Sequence, residues 1–454
     1  MSGRGGQSDE LPFSVNKHGL ATKHAPGARS QRAVLLSADT GDESWTPEES
    51  LDELARLAET AGVDVVERVT QHIRTRQPTS YLGKGKISEL LDRKSELGFN
   101  TVVADDELVP AQQRYLEEAL DAQVLDRTAL VLHIFAQHAH SREGKLQVEL
   151  AQYRYRLPRL TGRGVELSRL GAGINTRGPG ESKLESDRRR IRHRIAELNR
   201  EIEQVRTQRS LHRRQRRQSG IPVVALAGYT NAGKSTLMHA LTGADVLSSD
   251  QLFATLDPTT RRVEFENGQA VLLTDTVGFI QKLPTDLVAA FHATLEEITD
   301  ADVILHVADA SSPQVEEQAE AVEDELEDLG VANKPRITAL NKADLLTAEQ
   351  LQLLRRRFPN PVVVSALRAT GLDALETRLM NQIAADYVPV RVEIPYAETG
   401  LVTLFRARGT IEREDHEQDG TRITGKLPLA LLPRFRPFLR SAGKNERPER
   451  AKRQ

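Results

Sequence analysis

Apolar positions along the 454-residue chain fall into stretches of different period. From Gln31 the pattern is compact: an apolar run Ala33-Val34-Leu35-Leu36, helical spacing near Pro47–Ala61, then alternation over Val63-Asp64-Val65-Val66. A second unit follows, with helical spacing near Ile87–Leu97, a strand Thr101-Val102-Val103-Ala104 and a helix near Pro110–Leu120. Strand alternating with helix predicts a small α/β domain over residues 31–139. Residues 1–30 and 440–454 show no periodicity and are expected to be disordered tails.

The next stretch changes period. Leu146, Leu150, Tyr153, Leu157 and Leu160 are spaced 4, 3, 4, 3, and Leu184, Ile191, Ile195, Leu198, Ile202 and Val205 are spaced 7, 4, 3, 4, 3. These heptad stripes, joined by a Gly-rich loop, predict an antiparallel helical hairpin over 140–219. Its second helix, from about Ser182 to Gln218, would reach roughly 50 Å at 1.5 Å per residue. Ser219-Gly220 mark the next boundary. Strand and helix alternate again over 220–387, a length suited to one doubly wound, mostly parallel sheet. Residues 388–439 read as a small α+β domain with strands near Arg391–Ile394, Gly409–Glu412 and Thr421–Leu427. The fold class is therefore α/β and multidomain.

The chemistry sits in the fourth stretch. Strand Val223–Ala227 runs into Gly228-Tyr229-Thr230-Asn231-Ala232-Gly233-Lys234-Ser235-Thr236, a G-x-x-x-x-G-K-S/T loop between strand and helix. The glycines let N–H groups converge on phosphate oxygens, the helix adds its positive end, Lys234 reaches the β- and γ-phosphates and Ser235 offers a hydroxyl to Mg²⁺. Downstream, an apolar strand ends in Asp275-Thr276-Val277-Gly278, where Asp275 suits the Mg²⁺ shell and Gly278 a backbone contact to the γ-phosphate. Strand Arg336–Leu340 ends in Asn341-Lys342-Ala343-Asp344, and strand Pro361–Val364 in Ser365-Ala366-Leu367. N-K-x-D resembles the guanine reader of GTPases: a carboxylate such as Asp344 accepts from both guanine N1–H and N2–H₂, a donor pair adenine lacks. S-A-x resembles the loop whose Ala N–H meets guanine O6. Four motifs in this order, each at the carboxyl end of a strand, predict a GTP-binding enzyme.

The segment Phe253-Ala254-Thr255-Leu256-Asp257-Pro258-Thr259-Thr260 offers three threonines, any of which could complete the Mg²⁺ shell in the GTP state. Two departures from the Ras-like scheme stand out. Phe279 follows Gly278 where a Gln would orient the attacking water, so no catalytic residue is assigned and intrinsic turnover should be slow. Asn231 resembles the K⁺ ligand of certain GTPases; the alternative is that Asn simply suits a turn.

Charge changes the picture next. The whole chain holds 62 Lys and Arg against 65 Asp and Glu, a formal charge of −3. Residues 151–220 alone hold 19 basic and 7 acidic residues, a net of +12, which leaves −15 for the rest. Arg154, Arg156, Arg159, Arg163, Arg169 and Arg177 gather toward the hairpin tip, with Arg188 and Arg189 extending the run. Coiled coils usually mix signs, so a lopsided positive arm fits a phosphate-rich partner such as RNA. The chain has no cysteine, which excludes disulfides, thiolate metal sites and cysteine nucleophiles and suits a reducing cytosol. No apolar run approaches the ~20 residues needed to span a bilayer, and no signal peptide is evident at the start. Aromatics at 4% disfavour base-stacking RNA modules.

These motifs, with Y-L-G-K-G-K at Tyr81–Lys86, R-L-P-R-L and G-P-G-E-S-K-L-E-x-D-R-R between Arg156 and Arg189, F-A-T-L-D-P-T-T-R and D-T-V-G-F-I, resemble the HflX family of ribosome-associated GTPases over residues 31–435. The resemblance implies GTP hydrolysis stimulated by the large (50S) ribosomal subunit, insertion of the hairpin tip toward the peptidyl-transferase region, and separation of stalled ribosomes under stress in the cytoplasm. It points to Thr255 as the Mg²⁺-ligating threonine, makes the Phe279 departure a family trait, and implies an additional ATP site in the N-terminal domain, where Gly83-Lys84-Gly85-Lys86 could contact phosphate. A monomer is expected, with peripheral contact to membrane-bound ribosomes as the closest approach to a membrane. Two alternatives carry different tests: a nucleotide-gated scaffold whose arm docks a protein, and a K⁺-dependent GTPase assisting tRNA modification.

Overall fold

The computed structural model describes residues 31–41, 45–75, 77–160, 179–219, 221–243, 252–253, 255–265, 269–282, 295–385 and 387–440, with backbone alone for 179–184, 210–219 and 430. Residues 1–30 and 441–454 of the predicted tails, the hairpin tip with Arg163, Arg169 and Arg177, and Ala254 lie outside the described residues, whereas Arg440, expected to open the second tail, is bonded to Arg391 O and Glu393.

The N-terminal unit runs β1 (Arg32–Asp39), α1 (Pro47–Thr60), β2 (Asp64–His72), α2 (Lys84–Asp92), α3 (Lys94–Leu97), β3 (Thr101–Ala104), α4 (Pro110–Leu120), β4 (Gln123–Asp126) and α5 (Arg127–His138). Its four strands are parallel in the order β2-β1-β3-β4. α1 starts where Thr46 and Glu49 form a capping box, each side chain bonded to the other's backbone N–H, with Pro47 in the first turn. The helix expected near Ile87–Leu97 is two short pieces, parted at Arg93 and ended by Gly98 at φ +61°.

The arm pairs α6 (Arg142–Arg159) with α7 (Pro179–Ser219). Leu146 and Leu150 meet Leu198 and Ile202, flanked by Tyr153, Ile195 and Val205, so the heptad positions form the seam. α7 has 41 residues, roughly 60 Å at 1.5 Å per residue.

The third unit comprises β5 (Val223–Ala227), α8 (Lys234–Thr242), β6 (Thr259–Glu264), β7 (Ala270–Asp275), β8 (Val303–Asp309), α9 (Val315–Asp328), β9 (Arg336–Asn341), α10 (Ala348–Arg357), β10 (Val362–Val363) and α11 (Leu372–Ala385). The sheet order is β10-β9-β8-β5-β7-β6, parallel except at the β6 edge. The loop after β5 thus lies where the strand order reverses, the place where open α/β sheets bind ligands. A last unit packs α12 (Thr399–Arg408) on an antiparallel sheet of β11 (Tyr387–Pro395), β12 (Thr410–His416) and β13 (Gly420–Pro428), followed by α13 (Leu432–Phe435). Among the described residues no helix is long and apolar enough to cross a membrane.

The two parallel sheets present their carboxyl ends to each other. β3 and β4 lead into Asp105 and Arg127, while β5 and β7 lead into Tyr229 and Phe279. One continuous apolar cluster joins the units, with Leu54, Leu57, Leu130 and Phe135 packed among Tyr229, Phe253, Leu256 and Phe279.

Candidate nucleotide site

The loop between β5 and α8 is built around two close approaches. Gly233 has φ +88°, and a Cβ there would stand 2.4 Å from Asn341 Nδ2. A Cβ on Gly278 would stand 2.7 Å from Thr230 Cα and 3.0 Å from Lys234 Nζ. Only glycine lets the Asp275–Gly278 turn lie this close to the phosphate loop. The backbone also joins them: Thr230 N–H donates to Phe279 O at 2.7 Å and Phe279 N–H to Gly228 O at 3.1 Å.

Lys234 is 6% exposed. Its ammonium donates to Gly228 O at 3.0 Å and Tyr229 O at 2.9 Å. Burial lowers it to about 8, against the opposing pull of Asp275. Ser235 Oγ donates to Asp275 Oδ2 at 2.7 Å and lies 2.8 Å from Thr255 Oγ1. Asp275 is 1% exposed, and its Oδ1 is buried with no hydrogen-bond partner among the described residues. Two hydroxyls and an incompletely bonded carboxylate, all hard oxygen donors, fit a hydrated Mg²⁺ at this point. Thr276 turns inward, donating to Leu226 O at 2.7 Å.

The Asn341–Asp344 and Ser365–Leu367 motifs converge on the same edge. Asn341 is buried; its Nδ2 donates to Ala232 O at 2.9 Å and its Oδ1 accepts from Ala366 N–H at 3.0 Å. Lys342, at φ +60°, pairs with Asp309 at 2.8 Å. Ala343 N–H donates to Val364 O at 3.2 Å. Asp344 Oδ1 accepts from Ser365 Oγ at 2.5 Å. Leu367 is exposed. Asn231, at φ +60°, and Thr230 line a cleft of about 850 Å³ shared with Asp52 and Arg56 of α1, Ser311 and Lys342.

Other sequence-predicted residues face the N-terminal unit. Phe253 packs edge-on against Phe135, ring centroids 4.7 Å apart at 78°, and Leu256 is buried beside it. The Asp257 carboxylate is engaged by the start of α6. The Phe279 ring is buried in the joint apolar cluster, so it presents no polar atom to water.

Sequence reasoning missed a buried ion network behind the site. Arg127 is 1% exposed and donates to Glu53 and Asp105 carboxylates at 2.5 Å each, and to Gln281 O at 3.4 Å. Lys282 adds 2.8 Å to Asp105 and 3.3 Å to Asp106. Tyr229 donates to Glu53, accepts from Gln281 N–H at 2.8 Å and stacks on Trp45 at 6.1 Å. Burial alone would raise the Asp105 carboxyl, but Arg127 and Lys282 outweigh it and hold it at about 2. Burial and then Glu53 push the Tyr229 phenol well above its usual value. The network ties the phosphate loop and residues 281–282 to the carboxyl edge of the N-terminal sheet.

Family models match three consecutive parts of the chain: "GTP-binding GTPase N-terminal" over residues 48–136, "GTP-binding GTPase Middle Region" over 138–216 and "50S ribosome-binding GTPase" over 223–342. The chain is 47% identical over 402 residues to GTPase HflX of Lacrimispora saccharolytica, covering 88% of this chain and 95% of the relative. The chain belongs to the HflX family of GTPases. The HflX proteins of Caldanaerobacter subterraneus and Escherichia coli are 44% and 41% identical, covering 90% and 82% of this chain and 94% and 88% of theirs. This HflX-family enzyme binds and hydrolyses GTP, and the four motifs above lie within its GTPase fold.

The arm corrects one residue of the RNA-binding set. The Arg159 side chain is 13% exposed. Its guanidinium stacks 3.5 Å over Tyr155 and donates to Asp126 at 2.9 Å, Leu108 O at 2.7 Å and Gln113 at 3.2 Å. Charge counting could not see that a carboxylate waits behind it; Arg159 pins the arm to the N-terminal unit. Arg154, Arg156 and Arg188 are half-buried and Arg189 is exposed. In the Y-L-G-K-G-K segment, Tyr81 is buried and donates to Asp106 at 2.8 Å, Gly83 N–H donates to Gln71 at 2.8 Å, and Lys86 pairs with Glu89 at 2.9 Å.

Proposed function

We propose that this GTPase acts on the large (50S) ribosomal subunit in the cytoplasm, docking its basic arm on rRNA in the GTP state and separating stalled ribosomes. The observation that carries the reading is the arm: a helical pair whose first helix starts against Asp257, with a net +12 over residues 151–220. Sequence-independent binding to phosphate-rich RNA suits such a surface, with Arg154, Arg156, Arg188 and Arg189 on the described part. The matching family model's description, "50S ribosome-binding GTPase", supports the partner.

In this reading Lys234 and the N–H groups of Gly228–Thr236 bind the phosphates, and Asp344 with Ala366 reads the guanine. Ser235 and Thr255 would hold Mg²⁺ directly and Asp275 would hold its water. Mg²⁺ supplies charge neutralisation on the β- and γ-phosphates. Asn231 stands at the loop where a K⁺ ligand would be needed, and exchanging K⁺ for Na⁺ tests it: unchanged turnover removes it from the site. Phe279 cannot orient water, so backbone groups or the ribosome do so, and turnover is slow without the partner. Co-sedimentation with ribosomes tests the proposal. A non-hydrolysable GTP analogue should carry the protein into the 50S fraction, and GDP should not. Equal sedimentation in both states would overturn it. Binding that resists high salt would favour a protein-docking arm instead.

A further inference from the structure

The stretch around Thr255 is held from two sides. On one side Thr255 Oγ1 meets Ser235 Oγ at 2.8 Å. On the other, the Asp257 carboxylate accepts from the backbone N–H of His140 at 2.8 Å, from that of Ser141 at 2.6 Å and from the Ser141 hydroxyl. Ser141 is the N-cap of α6, its Oγ accepting from Gly144 N–H at 2.9 Å. A Cβ on Gly144 would lie 2.4 Å from Asp257 Oδ1, so the first turn of the helix carries the residue that admits the carboxylate. The first turn of a helix has unpaired N–H groups and a positive end, and Asp257 supplies an anion to both. α6 is the first helix of the arm. Asp257 therefore joins the root of the arm to the candidate Mg²⁺-binding segment, two residues from Thr255. Two residues span at most about 7 Å, so a shift of the α6 start relative to α8 must stretch one contact or the other.

We infer that Asp257 is a positioning residue for GTP hydrolysis: clamped on the start of α6, it sets Thr255 against Ser235 and couples arm docking to triphosphate affinity. This rests on the reading of Thr255 as a Mg²⁺ ligand of the GTP state. Coupling of this kind is reciprocal, so an arm held on RNA strengthens GTP over GDP by the factor by which GTP strengthens docking.

The test compares Asp257→Ala, Asp257→Asn and Thr255→Ala in the full chain. It measures affinity for a non-hydrolysable GTP analogue and for GDP, with amide exchange over residues 140–145. Removing charge-assisted hydrogen bonds should weaken the analogue about tenfold in Asp257→Ala, with GDP within about twofold. Asp257→Asn keeps an oxygen for the two N–H groups and should recover most of the loss. In the unmodified chain the analogue should slow exchange at 140–145 relative to GDP, and Asp257→Ala should abolish that difference. Equal loss for both nucleotides, or no nucleotide-dependent exchange at 140–145 in the unmodified chain, would overturn the inference. Thr255→Ala separates the two layers. If it weakens the analogue while Asp257→Ala does not, only the clamp fails; if it leaves the analogue unchanged, the Mg²⁺ reading fails.

Discussion

Guanine differs from adenine by two adjacent donors, N1–H and N2–H₂, and Asp344 is the carboxylate at the edge where Asn341 and Ala366 also converge. Asp344→Asn replaces one acceptor with a donor. GTP affinity should fall about tenfold or more, and xanthosine triphosphate, whose O2 accepts, should bind better than it does to the unmodified chain; competition binding reads both. Lys234 makes a pH-dependent prediction. Its folded value of about 8 lies below the ordinary 10.5, so above pH 8 the free protein holds it neutral while the unfolded chain keeps it charged. That contribution to stability therefore grows as pH rises between these values. Phosphates favour the ammonium, so nucleotide binding at about pH 9 should take up a proton. Calorimetry in buffers of different ionisation enthalpy measures it; no uptake would contradict the Lys234 placement. These residues were legible in the sequence because each motif is contiguous and ends a strand. Arg127, Asp105, Glu53 and Lys282 were not: four separate segments contribute them, and each alone is an ordinary charged residue. Asp257 was read only as part of a GTP-contacting stretch, since its partners lie 116 and 117 positions away.

At the scale of elements, the arm was readable because heptad spacing states which positions face the partner helix, and Leu146, Leu150, Leu198 and Ile202 do so. The break between α2 and α3 was not, since Leu90 and Leu97 keep a seven-residue helical spacing across Arg93. Leu198 is fully buried at the centre of the seam. Leu198→Ala should cost about 2–5 kcal/mol, opening the hairpin to limited proteolysis while nucleotide affinity changes little. Loss of nucleotide binding instead would mean that the arm and the GTPase unit unfold together.

In the whole molecule, the carboxyl ends of the two sheets are locked together by the Arg127 network and the shared apolar cluster. Removing one member of a buried ion set leaves its partners uncompensated, so Arg127→Met should destabilise the chain by about 3–5 kcal/mol, visible as a lowered Tm. An unchanged Tm would mean that the network is not closed in solution. The near-neutral total charge conceals a division of labour at this scale, with +12 on the arm segment and −15 elsewhere. If the arm docks on RNA as proposed, the acidic remainder would disfavour RNA contact elsewhere on the molecule. GTP turnover with and without purified 50S subunits, repeated across salt concentrations, tests ribosome-stimulated hydrolysis through the basic arm. Turnover should be slow alone and strongly stimulated by 50S subunits, and the stimulation should fade steeply as salt rises. Turnover that 50S subunits leave unchanged would contradict it.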